Sequence, residues 1–322
     1  SRSEILGTLG VLGNADLFLI NPNGIAFGPN AKLDVRGSFV ASTADSLVFE
    51  NGFAFSASNP QSPPLLTINV PLGLQYGSNA APIEVQGASL TIPPGNTLAL
   101  IGGDVRLQND ASLQVTDGRL ELGGLSSAGT VGLEATNNGF QLQYPEGVER
   151  YSDGVATRSQ VSMTGRAIVQ ATSDNGGSVA VNAKTVQISE GSQLLIFTTG
   201  DRNATGETIV NATDSITIAG ENSSISSVVD PGSSGNGANL SLQTRTLTLT
   251  DGGQLGTITQ GGGKAGDIAI AASESVTLIG DPTNPDVLTA LASQSLDNGD
   301  GGNVTITTRT FTLDREAQLG AL

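Results

Sequence analysis

The sequence predicts an all-β protein, built as a parallel β-helix with excursions that leave the helix. Apolar residues never recur at helical spacing over a window that is long enough for a helix and free of Gly and Pro. Alternating apolar and polar residues recur instead, as in 246–250 and 304–307, which is typical of strands with one buried side. In addition, one strand–corner–strand pattern repeats along the second half of the chain.

The composition favours a narrow core and excludes several kinds of chemistry. Of the 322 residues, 43 are Gly and only 4% are aromatic, so Leu, Ile, Val, Ala and Thr must fill the interior. Cys and His are absent, which excludes Ser-His-Asp and Cys-His catalysis, Cys or His zinc sites, and disulfides. We therefore expect no cofactor.

The charge balance excludes one class of partner. The formal charge of −16 comes from 30 acidic and 14 basic side chains. Nucleic-acid binding depends on Lys and Arg side chains that neutralise phosphates, so this balance argues against it. No stretch approaches the length of apolar sequence that a membrane helix needs, and we expect a protein that does not span a membrane.

The first predicted elements surround a short motif within the stretch LINPNGIAFGPNAKLDVRGS. Apolar runs at 17–20 and 25–27 predict two short strands. Between them Pro22 suits the second position of a β-turn, Asn23 the third and Gly24 the fourth. The residues alone predict a tight turn, and they leave open whether the turn is also a ligand site or an address.

Interruptions in the strand pattern divide the chain. We expect a first domain at 1–125, an irregular junction at 126–160 and a repetitive domain at 161–322. The Pro-rich stretch at 59–77 interrupts the first domain, and we expect it to leave the helix as a surface excursion. A second interruption at 143–160 marks the junction as an insertion or a loosely packed segment.

Repeated units in the second half align on a leading glycine. Each unit reads Gly, an alternating strand, a polar corner and a second alternating strand, often followed by a Gly-Gln-Leu corner and a third strand. Because one unit of roughly 30 residues cannot bury its apolar side alone, the units must stack as coils of a β-helix. An antiparallel sandwich is the alternative, although it rarely repeats one such pattern. The leading glycines are Gly177, Gly206, Gly237, Gly266 and Gly302.

Two asparagines occupy matched places in neighbouring units. Asn182 and Asn211 each follow the first strand of their unit. A ladder of hydrogen-bonded carboxamides between coils would add about 1 kcal/mol for each bond. The alternative is that each Asn only permits a left-handed corner, and the sequence leaves both open.

Residues 14–45, NADLFLINPNGIAFGPNAKLDVRGSFVASTAD, closely resemble the secretion domain of two-partner-secretion exoproteins, the filamentous-haemagglutinin family. The similarity continues through 55–77 and 97–107, and it looks nearest to the large cyanobacterial members. The repeats after residue 160 resemble the passenger portion of the family in style. The Asn-Pro-Asn-Gly-Ile/Val motif of the family is matched by Asn21, Pro22, Asn23, Gly24 and Ile25.

The resemblance implies a right-handed parallel β-helix that is exported and then delivered across the outer membrane by a dedicated barrel transporter. The periplasmic domains of that transporter would read residues 21–25 as a secretion motif. We therefore expect a secreted or surface protein of a Gram-negative-type bacterium. The signal peptide and the upstream Asn-Pro-Asn motif of the family do not precede residue 14, so we expect an N-terminally truncated member.

An enzyme is the main rival, because polysaccharide lyases and polygalacturonase-like hydrolases also use parallel β-helices. Their chemistry needs clustered carboxylates on neighbouring coils together with Lys or Arg. This sequence has no Asp-Asp pair, and Glu121 and Glu134 lie on strand-like runs without a partner at a defined offset. We expect no catalytic residues and no enzymatic activity.

The loop LDNGDGGN, residues 296–303, is a weak candidate for a calcium site. Asp297, Asp300 and Asn303 could supply oxygen ligands in a Gly-rich loop. The loop lacks both EF-hand spacing and tandem Gly-Gly-x-Gly-x-Asp repeats. A plain turn is the simpler interpretation, and we expect no metal.

For function, we interpret the chain as an exported adhesin whose rod presents loops to a glycan or protein on a host or cell surface. The alternative is a passive stalk or a surface-layer component. Exposed aromatic clusters on one face would favour the adhesin, and their absence would favour the stalk. The fold alone does not decide between them.

Overall fold

The computed structural model describes residues 1–50, 52–59, 71–136, 139–145, 157–174, 177–281, 283–284 and 286–321. All regular structure in these ranges is β-strand, as the alternating sequence pattern predicts. In the described part of the chain there is accordingly no helix long and apolar enough to cross a membrane.

The part of the chain before residue 145 forms short strands, mostly of three to six residues. They are β1 (Ser3–Ile5), β2 (Thr8–Gly10), β3 (Leu17–Ile20), β4 (Ile25–Phe27), β5 (Lys32–Asp34), β6 (Phe39–Ser42), β7 (Ser46–Phe49), β8 (Ala54–Ser56), β9 (Pro71–Tyr76), β10 (Ile83–Gln86), β11 (Ser89–Thr91), β12 (Thr97–Ile101), β13 (Asp104–Gln108), β14 (Ser112–Thr116), β15 (Arg119–Gly123), β16 (Gly129–Thr136) and β17 (Gly139–Gln143).

The later part alternates long and short strands. They are β18 (Gln160–Met163), β19 (Ile168–Ser173), β20 (Ser178–Ser189), β21 (Gln193–Thr198), β22 (Glu207–Ala219), β23 (Ser224–Val229), β24 (Asn239–Thr250), β25 (Gln254–Thr259), β26 (Ile268–Ile279), β27 (Ala290–Ser295), β28 (Val304–Asp314) and β29 (Gln318–Ala321).

Strands of successive coils stack in parallel and in register, which is the arrangement of a parallel β-helix and confirms the predicted fold. Face one contains β3, β6, β12, β15 and the first parts of β20, β22, β24, β26 and β28. Face two contains β1, β4, β10, β13, β18 and the second parts of the same long strands. Face three is the eight-stranded sheet β11-β14-β19-β21-β23-β25-β27-β29.

The corner between faces one and two is a bend within each long strand. The pairing register shifts between Ala183 and Thr185 in β20, and at matching places in β22, β24 and β26. The sequence pattern predicts two strands separated by a polar corner, but the backbone hydrogen bonds continue on both sides of the bend. Each late coil therefore consists of one bent strand and one short strand.

Alternating residues of each coil fill the core. In the coil of β20 and β21, Val179, Val181, Val186, Ile188 and Leu194 point inward and are at most 2% exposed. Burial of one such side chain stabilises the fold by about 1.5–3 kcal/mol. Because inward residues of each coil lie directly on those of the next, the core is continuous along the rod.

An outer antiparallel sheet covers part of face one. Its five strands follow the order β17-β16-β9-β7-β8 and lie outside the parallel stack. Of the Pro-rich stretch at 59–77, residues 71–76 form β9 in this sheet, while 60–70 lie outside the described residues. From the predicted junction at 126–160, β16 and β17 also join it, and 146–156 lie outside the described residues.

The outer sheet and face one enclose a second core. Its buried members include Val40, Ala99 and Ile101 from face one, and Leu74 and Phe140 from the outer sheet. The run 98–101 is buried on both sides for this reason. The division of the chain at 125 and 160 stays a prediction.

The asparagine ladder is present between two coils. Asn182 pairs with Asn211 in the register of β20 and β22, and the Asn211 carboxamide nitrogen donates to the Asn182 side-chain oxygen at 3.3 Å. Neither residue has a positive φ. The ladder interpretation is therefore the one that the structure supports, and the left-handed-corner interpretation is wrong.

Candidate functional site

The predicted motif forms a corner of the first coil. β3 ends at Ile20 on face one and β4 begins at Ile25 on face two, so residues 21–24 carry the chain around the corner. The Gly24 amide donates to the Asn21 carbonyl at 3.0 Å, which is the hydrogen bond that closes a four-residue β-turn. The tight turn expected from the sequence is thus present.

Asn21 holds this turn together through its side chain. Its Oδ1 atom accepts a hydrogen bond from the Asn23 amide at 2.9 Å. Its Nδ2 atom donates to the Ser1 carbonyl at 3.0 Å and to the Ser3 hydroxyl at 2.8 Å. Both N–H donors and the oxygen of the Asn21 carboxamide are therefore hydrogen-bonded within the protein. Because two of these bonds reach Ser1 and Ser3, Asn21 holds the corner against β1 and has a structural role.

Asn23 is placed differently. Its side chain is exposed, and its only hydrogen bond within the described residues is a donation to Asn21 Oδ1 at 3.3 Å. The carbonyl oxygen and the second N–H of the Asn23 carboxamide therefore face solvent. This side chain offers a donor and an acceptor to a partner without help from the fold.

Gly24 and Ile25 fix the corner against the neighbouring coils. Gly24 has a φ of +105°, which favours glycine, and an added Cβ would lie 3.2 Å from the Pro82 carbonyl oxygen. The Gly24 carbonyl accepts from the Ser3 amide at 2.9 Å, and the Ile25 amide donates to the Pro82 carbonyl at 3.2 Å. The Ile25 side chain is fully buried in the core, while Pro22 is half-buried.

A network of ion pairs lies beside the corner, on the outer side of face two. Arg2 reaches across β4 to Glu84 at 2.9 Å, and Arg106 donates to the other Glu84 oxygen at 3.3 Å. Arg106 also bonds Asp104 at 2.9 Å. Exposed ion pairs add only about 0–1 kcal/mol each, so this network mainly shapes the charged surface next to the corner.

Glu121, one of the two glutamates that the sequence places on strand-like runs, is buried beneath the outer sheet. Its side chain is 1% exposed and accepts a hydrogen bond from Arg119 Nε at 2.5 Å. Along face one it stacks between Ala99 and Ala180. Glu134 lies elsewhere, exposed on β16, and accepts a hydrogen bond from Gln143 at 3.0 Å.

Burial dominates the acidity of Glu121. Removal of the carboxylate from water raises its pKa from 4.5 to about 7, although attraction to Arg119, the Arg119 hydrogen bond and the Leu142 amide pull the pKa down. A carboxyl group with a raised pKa can act as a general acid. Here the outer sheet separates Glu121 from solvent, so we interpret the carboxyl group as part of the packing between the two sheets.

Two of the three calcium candidates bond the preceding coil. The Asn303 amide donates to Asp267 Oδ1 at 2.8 Å, and the Asn303 side chain donates to the same atom at 3.3 Å. The Asp300 carbonyl accepts from the Ala265 amide at 2.8 Å. No group of three or more His, Cys, Asp or Glu side chains that could hold a metal occurs among the described residues. The expectation of a plain turn without metal at 296–303, with Asp297, Asp300 and Asn303 as weak candidates, stays a prediction.

The sequence pattern missed the burial of Glu121 beside the half-buried Arg119. Alternation in the segment RLELG assigns both side chains to the solvent side of a two-sided strand. A signal was nevertheless present one coil earlier, where the uninterrupted apolar run at 98–101 indicates burial on both sides. An outer layer over this part of face one could have been inferred from that run.

Comparisons with known proteins agree with the geometry. The family model of the TPS secretion domain matches residues 1–152. Among solved structures, the HMW1 secretion domain from Haemophilus influenzae is similar, with a TM-score of 0.51, 17% sequence identity, and coverage of 95% of this chain and 79% of that chain. At this identity the likeness shows a shared fold. No curated protein matches the sequence significantly.

Proposed function

Residues 1–152 are a TPS secretion domain, the N-terminal domain of a two-partner-secretion exoprotein, and from this we propose that the corner at residues 21–25 is part of the address that the partner transporter reads. A TPS secretion domain implies export across the outer membrane of a Gram-negative-type cell through such a partner. We propose further that the exported rod acts as an adhesin, either released or held at the cell surface.

One observation supports the address most directly: the side chains of the motif point in different directions. Asn21 directs its carboxamide toward the N-terminal strand, and Ile25 directs its side chain into the core. Asn23 alone among the motif residues is exposed. A transporter that contacts the folded or folding corner would therefore meet the Asn23 carboxamide first.

The test is export of an Asn23→Ala variant by a cell that exports the wild-type protein. We expect export, measured as protein outside the cell or on its surface relative to periplasmic protein, to fall at least tenfold. The free energy of unfolding should change by less than about 0.5 kcal/mol, because an exposed side chain with one long hydrogen bond is removed.

Asn30 offers a matched control. It occupies the third position of another β-turn in the same coil, closed by a 2.8 Å hydrogen bond from the Ala31 amide to the Gly28 carbonyl, and its side chain is exposed. We expect Asn30→Ala to be exported normally. Unchanged export of Asn23→Ala, or an equal loss with Asn30→Ala, would contradict the address.

A passive stalk is the second candidate function, and the scarcity of aromatic side chains favours it. Between residues 157 and 321 the aromatic residues are Phe197, which is half-buried, and Phe311, which is 39% exposed in the last long strand. Attachment of cells that carry the rod, compared with cells that lack it, separates the two functions. An adhesin increases attachment to a surface, whereas a stalk leaves it unchanged.

A further inference from the structure

The corner between faces one and two opens into a groove along the late coils. Its volume is about 370 Å³, within the range of pockets that hold small ligands. The bends of β22, β24 and β26 form its length. Polar walls are supplied by Arg158, Asn211, Gln243, Arg245, Ser273 and Thr307.

Planar groups in the walls are held in fixed orientations. The Arg245 guanidinium lies between two carboxylates, with bonds to Asp214 at 2.9 Å and to Glu274 at 2.6 Å. The Asn211 carboxamide is fixed by the ladder to Asn182. Arg158 lies 5.4 Å from the centre of the Tyr144 ring, and a guanidinium stacked on an aromatic face keeps its orientation.

Other wall residues keep their hydrogen-bonding capacity. The side chains of Gln243, Ser273 and Thr307 are exposed, and within the described ranges they form no hydrogen bond to the protein. A carboxamide and two hydroxyls both donate and accept. Between them Ala271 provides a small apolar surface. This combination suits a ligand with many hydroxyl groups and short apolar edges.

The charges around the groove balance. Two positive wall residues, Arg158 and Arg245, lie with two carboxylates, Asp214 and Glu274, both of which are bonded to Arg245. A ligand therefore needs no charge to match the walls, in a chain whose formal charge is −16. Farther along the same corner, Lys184 and Arg309 occupy the places that correspond to Arg245 in other coils. Because these two residues are positively charged, an anionic ligand is the alternative that the experiment must exclude.

We propose that this groove binds a neutral oligosaccharide. Ring hydroxyls would bond the Gln243 carboxamide, the Arg245 guanidinium and the hydroxyls of Ser273 and Thr307, while C–H edges would contact Ala271. The inference rests on the adhesin function proposed above and deepens it, because it names the class of ligand and the site.

The test uses the purified chain on an array of neutral, sialylated and sulfated oligosaccharides. We expect binding to neutral members of the array. The triple variant Gln243→Ala, Ser273→Ala, Thr307→Ala should lose at least tenfold in affinity for them. A matched triple variant on the outer side of face two, Gln187→Ala, Ser275→Ala, Thr277→Ala, should bind like the wild-type chain.

Three results would overturn the proposal. They are the absence of binding to any neutral oligosaccharide, binding restricted to sialylated or sulfated members, and an equal loss in both triple variants. Cell attachment distinguishes this failure from failure of the adhesin function, because a rod that increases attachment equally with and without the groove triple variant is an adhesin that binds its target elsewhere. The groove triple variant should be exported like the wild-type chain, and the array uses purified protein whose binding does not depend on the transporter.

Discussion

Between face one and the outer sheet, the Glu121 carboxyl lies near the Tyr144 hydroxyl beside the second core, and its ion-pair partner Arg119 is half-buried. Burial raises the pKa of the Tyr144 hydroxyl well above its ordinary value, and the negative charge of Glu121 raises it further. Charged forms of both acids are therefore disfavoured in the same layer. Loss of the proton from Glu121 should therefore weaken the packing of the outer sheet against face one.

We expect the free energy of unfolding to fall as pH rises from about 4.5 past 7. Below pH 4.5 Glu121 is protonated in both states, whereas above it the unfolded state loses the proton first, because the pKa in the folded state is about 7. The loss approaches about 3 kcal/mol for one carboxyl group. Urea denaturation at pH 5 and pH 8 measures it.

Glu121→Gln should flatten this dependence, because the amide cannot ionise. Glu134→Gln makes the same change on the exposed side of β16 and should leave the profile of the wild-type chain unchanged. A Glu121→Gln profile as steep as that of the wild-type chain would show that other groups cause the pH dependence.

At the scale of elements, the outer sheet is anchored to face one through β17. Phe140 is 5% exposed, and its ring packs edge-on against Phe18 with centroids 5.3 Å apart. Its backbone exchanges hydrogen bonds with the Thr97 hydroxyl, which accepts from the amide at 2.9 Å and donates to the carbonyl at 3.2 Å. One strand thus combines ring packing with a buried polar contact.

Phe140→Ala should loosen the outer sheet without unravelling the coils. Loss of a buried phenyl ring costs about 3–5 kcal/mol, and here the cost falls on the second core. Hydrogen exchange should become faster in β16 and β17, while amides of β22 and β24 keep their protection. Phe197→Ala removes a half-buried ring from β21, outside the second core. It should accelerate hydrogen exchange in β16 and β17 less than Phe140→Ala does. Equal acceleration throughout the chain would contradict this division.

The two sheets also differ in how well the sequence predicts them. The coils can be predicted from the sequence because each unit repeats a leading Gly, an alternating strand and a polar corner. Each repeat is further evidence for the same structure. The outer sheet brings together β7, β9 and β16, which are far apart in sequence. No local pattern indicates that pairing, and burial of Glu121 follows from it.

The turn at residues 21–24 was likewise predictable, since Pro22 and Gly24 have fixed turn preferences. The different placement of Asn21 and Asn23 was not. It depends on β1, which lies beside the corner only after the coil has closed. The groove was missed for a similar reason, because its walls come from residues about one coil apart and meet only through stacking.

At the scale of the whole molecule, each late coil contacts mainly the coils before and after it. Stability should therefore be a sum of coil and interface contributions. The backbone hydrogen bonds that join neighbouring coils run along the rod, whereas the strands run across it.

This stacking has a mechanical consequence. Tension applied to the two ends of the rod loads the hydrogen bonds of the outermost coil first, so coils should peel away one after another rather than shear together. A released coil of about 30 residues lengthens the chain by roughly 100 Å. Optical tweezers should record a sawtooth of such steps, and a single release of the entire rod would contradict the expectation. A rod of this kind lengthens under a sudden pull because one coil opens at a time. The force on any contact at its end is therefore limited to the force that opens one coil.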